Sequence, residues 1–206
     1  LGRLVGSEMC IRDRYKTNPC ILKCDLIDLD ENKSKEIANI ILENYKNLDA
    51  IIHNAAILEK ISNIENYDVK TWEKVLKVNL TSSFILSKYL VPLMSSSLNP
   101  RIIFTTSSVG KRGKAYWGAY SVSKAGINAL SQILSDELET ISNIKVFNFD
   151  PKGTQTAMRS LAYPAEDPDS QKKPDSLIEY YLWMLSEDSS SSKDRYIEFG
   201  QKIKTK

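Results

Sequence analysis

The sequence predicts an α/β fold in which a parallel sheet is covered by helices on both faces. From about residue 15 onward, short apolar segments of strand length alternate with longer segments whose apolar residues recur at helical spacing. Small polar residues follow the apolar segments where strands would end. Repeated strand–helix units form parallel sheets, and such sheets bind ligands at the carboxyl ends of their strands.

The first predicted elements are two strands separated by a helix. Residues 19–25 have the composition of a short strand that ends in a carboxylate, and residues 48–53 that of a buried strand leading into Asn54. Between them, residues 32–46 show a helical apolar stripe, with Asn32 or Ser34 as the expected cap.

The remaining elements continue the alternation to the end of the chain. A long helix is expected over residues 71–94, and the irregular, Pro-rich segment 162–174 is expected to be a mobile loop. The other predicted elements, in order, are strand 101–106, loop 109–116, helix 118–141, strand 144–149, helix 175–185 and strand 195–199.

Length and composition indicate one domain. The chain has 206 residues, of which 42% are hydrophobic, enough for one sizeable core, and we assign residues 15–206 to a single domain. Residues 1–14 show neither the strand nor the helix periodicity of apolar residues. The string from Ser7 to Arg14 resembles a translated sequencing adapter. We therefore expect residues 1–14 to be a non-native segment.

Charge and composition exclude several classes of function. A net charge of +2, spread along the chain, argues against electrostatic binding of nucleic acid, and the apolar runs are too short for a membrane helix. Three cysteines do not make a disulfide framework, and Cys20 and Cys24 would lie ~13 Å apart along a strand, so we expect a reducing cytoplasm. His53 is the only histidine, which excludes a multi-imidazole metal site; no metal is expected.

The clearest chemical signal is a tyrosine and a lysine one helical turn apart. Tyr120 and Lys124 would lie on one face of a helix, and Ser107, at the end of the preceding strand, can reach the same place. A phenol ionises near pH ~10, and a neighbouring ammonium group would lower that pKa. The arrangement suits proton transfer to or from a carbonyl or alcohol oxygen. The Tyr-x-x-x-Lys spacing alone is also what an ordinary surface pair would show.

Five features in order resemble the short-chain dehydrogenase/reductase family. They are Asp25 at a strand end, His53-Asn-Ala-Ala56 for the family's Asn-Asn-Ala-Gly, Asn79, the Ser107/Tyr120/Lys124 set, and Pro151 to Thr156 for Pro-Gly-x-x-x-Thr. The runs Gly153 to Arg159 and Trp117 to Tyr120 are most similar to the bacterial YciK-like branch, which is loosely assigned to oxoacyl-carrier-protein reduction. The resemblance implies a Rossmann-like, doubly wound parallel sheet.

The resemblance also implies roles for individual residues. Tyr120 would be the acid/base, Lys124 would lower its pKa and hold a ribose, Ser107 would orient the substrate oxygen, and Asn79 would anchor a water in a proton relay. NADP or NAD would be the cofactor, without a readable preference. The implied cofactor-binding residues are Asp25, Leu26, Asn54, Ala55, Ala56, Tyr120, Lys124, Pro151, Gly153, Thr154 and Thr156.

Each of these positions has a plainer alternative. Ser107 could merely cap the following turn, with Ser108 competing for the catalytic role, and Asn79 could be a solvated helical residue. Asp25 could be only a turn residue. His53 is expected to be a hydrogen-bonded structural residue and not a catalyst.

The family's Gly-rich phosphate-binding turn has no counterpart in this sequence. None of the eight glycines forms the required trio, so we expect a fragment without the first two strand–helix units, impaired in cofactor binding. The segment ending at Asp25 would then lack a partner strand, and strand 48–53 would have an open edge. In addition, Lys152 and Ala56 stand where the family has glycine.

The expected activity is NAD(P)-dependent interconversion of a ketone or oxoacyl group and a secondary alcohol. The substrate would be a small-molecule or acyl-carrier-linked carbonyl compound selected by residues 158–174, and the full-length parent would be a homodimer or homotetramer. The alternative is a catalytically inactive remnant that acts as an oligomerising scaffold.

Overall fold

A four-stranded parallel sheet forms the centre of the protein. The computed structural model describes residues 20–203. The strands are β1 (Ala50–His53), β2 (Arg101–Thr105), β3 (Lys145–Asp150) and β4 (Tyr196–Glu198), in the order β1-β2-β3-β4. Every neighbouring pair is parallel, which confirms the predicted α/β class.

Helices connect the strands and cover both faces of the sheet. They are α1 (Glu31–Asn44), α2 (Val69–Leu76), α3 (Ser82–Leu90), α4 (Ser108–Lys111), α5 (Gly118–Glu139), α6 (Ala157–Ala162) and α7 (Ile178–Leu185). α1 is capped by Asp30, whose carboxylate accepts the Lys33 backbone N–H at 2.8 Å, so neither predicted cap is correct. Asp30 precedes Ile37, the first apolar residue of the stripe, by seven residues or about two turns, so the stripe alone does not locate the helix start.

The long helix predicted over residues 71–94 is interrupted. A π-helical turn, Lys77–Thr81, separates α2 from α3, and a 3₁₀ turn, Val91–Met94, containing Pro92, ends the segment. Apolar residues occur at helical spacing on both sides of the π turn, so periodicity alone gives no sign of the interruption. The predicted loop 109–116 also contains a short helix, α4.

Alternating side chains of β2 fill two cores, one on each face of the sheet. Ile102 and Phe104 pack with one cluster that includes Ile127 of α5. Ile103 points to the opposite face and packs with Trp183 of α7. All three β2 side chains have no exposed surface, as expected for a strand covered on both faces.

The predicted strand over residues 19–25 is wrong for the part that the structure describes. Residues 20–25 have no strand conformation, and no described strand lies beside them to supply the backbone hydrogen bonds that a strand needs. Within residues 20–203, β1 is one of the two edge strands of the sheet, and Ile52 on it is 44% exposed. The prediction for residues 1–14 concerns a segment outside the described residues.

No helix within residues 20–203 has both the length and the apolar character needed to cross a membrane.

Candidate active site

The carboxyl ends of β1, β2 and β3 open into one cavity of about 840 Å³. Its lining comes from the loops that follow these strands, together with α5, α6 and the start of α7. Because the strands are parallel, residues far apart in sequence meet at this one edge of the sheet. Of the predicted site residues, those that line the cavity are Asn54, Ala55, Ala56, Ser107, Tyr120, Lys124, Pro151, Gly153, Thr154 and Thr156.

Tyr120 and Lys124 lie side by side in the first two turns of α5 and face the sheet. The side chains are nearly buried, with 8% of Tyr120 and 3% of Lys124 exposed. The ammonium Nζ of Lys124 donates a hydrogen bond to the Thr105 carbonyl at 2.8 Å and lies 5.6 Å from the centre of the Tyr120 ring. The alternative of a solvated surface pair is therefore wrong.

The environment raises the pKa of Tyr120, the opposite of what the sequence predicted. Burial, reinforced by the negative charge of Asp150, raises the pKa of Tyr120 to about 12. Burial lowers the pKa of Lys124 to about 8, although Asp150 acts in the opposite direction. Lys124 directs its ammonium at the Thr105 carbonyl and does not offset the cost of burying a phenolate. At neutral pH, Tyr120 is a neutral phenol that can donate a proton.

Ser107 presents a hydroxyl group that has no capping role. It occupies the cap position of α4 with extended backbone (φ −159°, ψ 154°), but its side chain makes no capping hydrogen bond. The residue is half-buried and lines the cavity, so its hydroxyl can face a ligand. Ser108 also lines the cavity and is exposed, as the competing position.

Asn79 is buried behind the cavity and fixes the segment after β1. Its amide group donates to the Ile57 carbonyl at 2.9 Å and accepts the Ile57 N–H at 2.8 Å, and it also donates to Ser123 Oγ at 3.1 Å. The side chain sits in the π turn and is 2% exposed, so the solvated alternative is wrong. π turns recur at functional sites because they redirect side chains within a helix.

The strand ends differ in how they reach the cavity. Asn54 Oδ1 accepts a hydrogen bond from Thr105 Oγ1 at 3.0 Å, which ties the ends of β1 and β2 together.

His53 points away from the cavity, with its Nε2 3.0 Å from Ser87 Oγ and its ring stacked on Phe104 at 4.7 Å. Burial lowers the pKa of His53 to about 4, so it is a neutral structural residue, as predicted.

Asp25 and Leu26 are not brought to this cavity. Asp25 is exposed, and its Oδ1 accepts the Ile27 backbone N–H at 3.0 Å, as in a turn. It borders a separate cavity of about 460 Å³ beside α1, and Leu26 lines neither cavity. These two cofactor-binding predictions therefore stand apart from the rest of the site.

Sequence reasoning missed the charged group at the end of β3. Asp150 is 1% exposed, and its carboxylate accepts the Lys152 N–H at 2.8 Å and lies 3.3 Å from Lys152 Nζ. Lys152 also pairs with Glu198 at 2.8 Å. Its φ of +56° lies in the left-handed region that favours glycine, where the family has one. An acid at the end of a buried strand with a lysine two residues later could have revealed this pair.

Within residues 20–203, no cluster of three or more His, Cys, Asp or Glu side chains could hold a metal ion.

The chain is similar to known oxidoreductases over most of its length. A family model described as short chain dehydrogenase matches residues 11–167. The chain is 36% identical to the uncharacterized oxidoreductase YciK of Escherichia coli K12 over 165 residues, covering 80% of this chain and 65% of YciK. It is 26% identical to the 3-oxoacyl-[acyl-carrier-protein] reductase FabG of Thermotoga maritima, covering 85% of this chain and 72% of FabG.

Solved structures agree with these relatives. A short chain dehydrogenase from Escherichia coli CFT073, solved in complex with NADPH, superposes with a TM-score of 0.90 at 33% identity, covering 95% of this chain and 80% of that chain. Its similarity, with that of YciK, confirms the predicted sheet and the YciK-like branch. This chain spans about 65% of the length of YciK. Since the family model matches more than half of its residues, the chain belongs to the short-chain dehydrogenase family.

Proposed function

We propose that residues 15–206 are the catalytic domain of an NAD(P)-dependent oxidoreductase that interconverts a ketone and a secondary alcohol. The observation that carries the proposal is the meeting of a neutral phenol, an ammonium group and a free hydroxyl in one cavity, from Tyr120, Lys124 and Ser107. The oxoacyl class of ketone is supported by the similarity to FabG.

Each of the three side chains has a distinct task in ketone reduction. Tyr120 donates its phenolic proton to the carbonyl oxygen as that oxygen gains negative charge, and Ser107 donates a hydrogen bond that orients the same oxygen. Lys124 stabilises the resulting phenolate, because its cationic form then gains a neighbour of opposite charge. Asn79 supports the site from behind: its amide group is used by Ile57 and Ser123, so it holds the segment after β1 in place and we do not assign its side chain the water-relay role.

The residues present fit the nicotinamide half of the cofactor. Asn54, Ala55 and Ala56 line the cavity at the end of β1, and Lys124, which also lines it, can donate to a ribose hydroxyl. A bound nicotinamide supplies or accepts the hydride. In the family, the phosphates of the cofactor are bound by a Gly-rich turn at a helix N-terminus. This sequence has no glycine trio with the spacing of that turn.

The test replaces Tyr120 in a fusion that carries a family member's strand and Gly-rich turn ahead of residue 15. Tyr120→Phe should lower ketone reduction by about 10²–10⁴-fold, because the proton donor is lost, and should leave NADPH affinity within about twofold. Tyr116→Phe is the matched control, since Tyr116 is 61% exposed and does not line the cavity. Full activity in Tyr120→Phe would remove Tyr120 from the mechanism.

A second candidate function is that of a catalytically inactive scaffold that self-associates. It is supported by the exposed apolar side chains Val122 (47%) and Ile133 (53%) on α5, the helix through which family members commonly pair. This candidate predicts an oligomer by sedimentation velocity together with no Tyr120-dependent turnover in the fusion. An active fusion would exclude it, whether or not the chain self-associates.

A further inference from the structure

The wall of the cavity carries an excess of positive charge. Four basic side chains line it, and Asp150 is the one acidic residue among its described lining residues. The four are Lys114, Lys124, Lys152 and Arg159. A cavity with this lining attracts anions, provided that its cations are not already neutralised by other groups.

Three of the four cations already have strong partners. Lys152 pairs with Asp150 and Glu198, and the buried Lys124 donates to a backbone carbonyl. Arg159 forms a two-bond pair with Glu166, with Nε–Oε2 at 2.6 Å and Nη2–Oε1 at 2.7 Å. Arg159 is therefore a poor anion receptor, because a ligand would have to compete with a carboxylate already in ideal geometry.

Lys114 is different because it is exposed and, among the described residues, bonds to neither a carboxylate nor a backbone carbonyl. Its Nζ donates to the Tyr163 hydroxyl at 2.9 Å, and no acidic oxygen within residues 20–203 lies within ion-pair distance of it. An ammonium group has three N–H donors, so two remain for a ligand. The residue is exposed, so its charged form is solvated and ready to bind.

An aromatic wall joins Lys114 to the candidate catalytic tyrosine. Trp117 contacts both Tyr120 and Tyr163, with ring centres 5.7 Å and 6.0 Å apart. Lys114 Nζ lies 5.5 Å from the centre of the Trp117 ring, so it is at most about 11 Å from that of Tyr120. Met158 packs against the same cluster and lines the cavity. The space between the proton donor and the free cation is thus bounded by apolar surface.

We propose that the substrate of this site carries an anionic group, a carboxylate or a phosphate, separated from its reactive carbonyl by a short apolar spacer, and that Lys114 binds the anion. The proposal rests on the proposed function, since the carbonyl end is placed at Tyr120 and Ser107. The spacer packs on Trp117 and Met158, which favours a ring or a short unbranched chain. Lys114 is then a specificity-determining residue that touches the substrate remote from the reacting atoms.

The test measures binding, so it does not depend on hydride transfer. The full 206-residue chain is titrated at pH 7 by isothermal titration calorimetry with three ligands. They are 4-acetylbenzoate, its neutral methyl ester, and 4-acetylphenyl phosphate. The acid should bind about tenfold more tightly than the ester, because a charge-assisted hydrogen bond contributes on that scale. The ratio of acid to phosphate affinity identifies which anion the site prefers.

Variants assign the effect to Lys114. Lys114→Gln should weaken 4-acetylbenzoate binding about tenfold and leave the ester unchanged, Lys114→Arg should restore most of the affinity, and Lys70→Gln, at an exposed position on α2, should change nothing. Thermal unfolding of every variant checks that the fold is retained. Equal affinity for acid and ester, no measurable binding of either anion, or an unchanged affinity in Lys114→Gln would each overturn the proposal.

Binding and catalysis can fail separately. In the full 206-residue chain, Tyr120→Phe should still bind the anion more tightly than the ester. The reason is that the phenolic hydroxyl does not contact the anionic end of the ligand. If the anion is still preferred over the ester and the Tyr120→Phe fusion reduces ketones at the full rate, the proposed chemistry is rejected and the anion site is retained. A lost preference in Lys114→Gln alongside an inactive Tyr120→Phe fusion would support both.

Discussion

Replacing Gly110 by alanine should displace the serine loop from the helix that carries the candidate tyrosine. Gly110 lies in α4, three residues after Ser107, and packs on the backbone of Lys124 in α5. A Cβ atom at Gly110 would lie 2.7 Å from the Lys124 carbonyl carbon and 2.8 Å from its carbonyl oxygen. These are backbone atoms of a long helix, so they cannot rotate away as the end of a side chain could.

The size of the effect follows from which part can move. Lys124 is held by the hydrogen bonds of α5, whereas α4 has only four residues, so α4 and Ser107 must shift. Overpacking of this kind costs about 1–3 kcal/mol of unfolding free energy. For a chain of this size, each kcal/mol corresponds to about 2–4 °C in Tm. Gly110→Ala should therefore lower Tm by several degrees.

Gly113→Ala is the matched control for this experiment. Its Cβ would meet only Ser121 Oγ, at an ordinary contact distance of 3.9 Å. Its unfolding free energy should therefore change little, or rise by about 0.4–1 kcal/mol through the unfolded state. Urea unfolding of both variants measures the difference, and ketone reduction in the fusion should fall only for Gly110→Ala. Equal stability of the two variants would refute the packing argument.

Two further predictions concern charge. Because the pKa of His53 is about 4 when folded and 6.5 in the reference state, the unfolded chain binds more protons between these values, and stability is lost as pH falls through that window. Urea unfolding should show a loss of about 2 kcal/mol between pH 7 and pH 5 that is largely absent in His53→Asn, and an equal slope in the variant would contradict this. Lys152→Gly relieves the positive φ but leaves the buried Asp150 without its ammonium partner, so Asp150→Asn should rescue part of the loss. A double-mutant cycle should give a coupling energy of about 0.5–3 kcal/mol, and strict additivity would speak against the pair.

Much of the fold and of the site was predictable because the signals are local. Residues 101–105 form a strand on a covered sheet, and the apolar run Ile102 to Phe104 within it, all three side chains being buried, predicts this directly. The spacing of Tyr120 and Lys124 places them one turn apart in any helix. Strand ends in a parallel sheet meet at one edge, so Ser107 and Pro151 could be assigned to the same cavity from their positions alone.

Other features depend on partners that are remote in sequence. Residues 20–25 have strand composition but lack a neighbouring strand within the described chain, and backbone pairing is not a property of one segment. Asn79 lies within a continuous apolar stripe, and only the folded chain shows that its amide group is fully used by Ile57 and Ser123.

From β1 onward, the sequence by itself determined the order of the strands and most of the side chains that meet at the sheet edge, because both follow from periodicity and topology. Only the tertiary structure decided their electrostatics. The pKa of Tyr120 rises because the side chain is buried and because Asp150, thirty positions away in the sequence, adds a negative charge nearby. Likewise, it is the fold that leaves Lys114 exposed and without a carboxylate partner, while it buries Lys124 and pairs Lys152 and Arg159 with carboxylates.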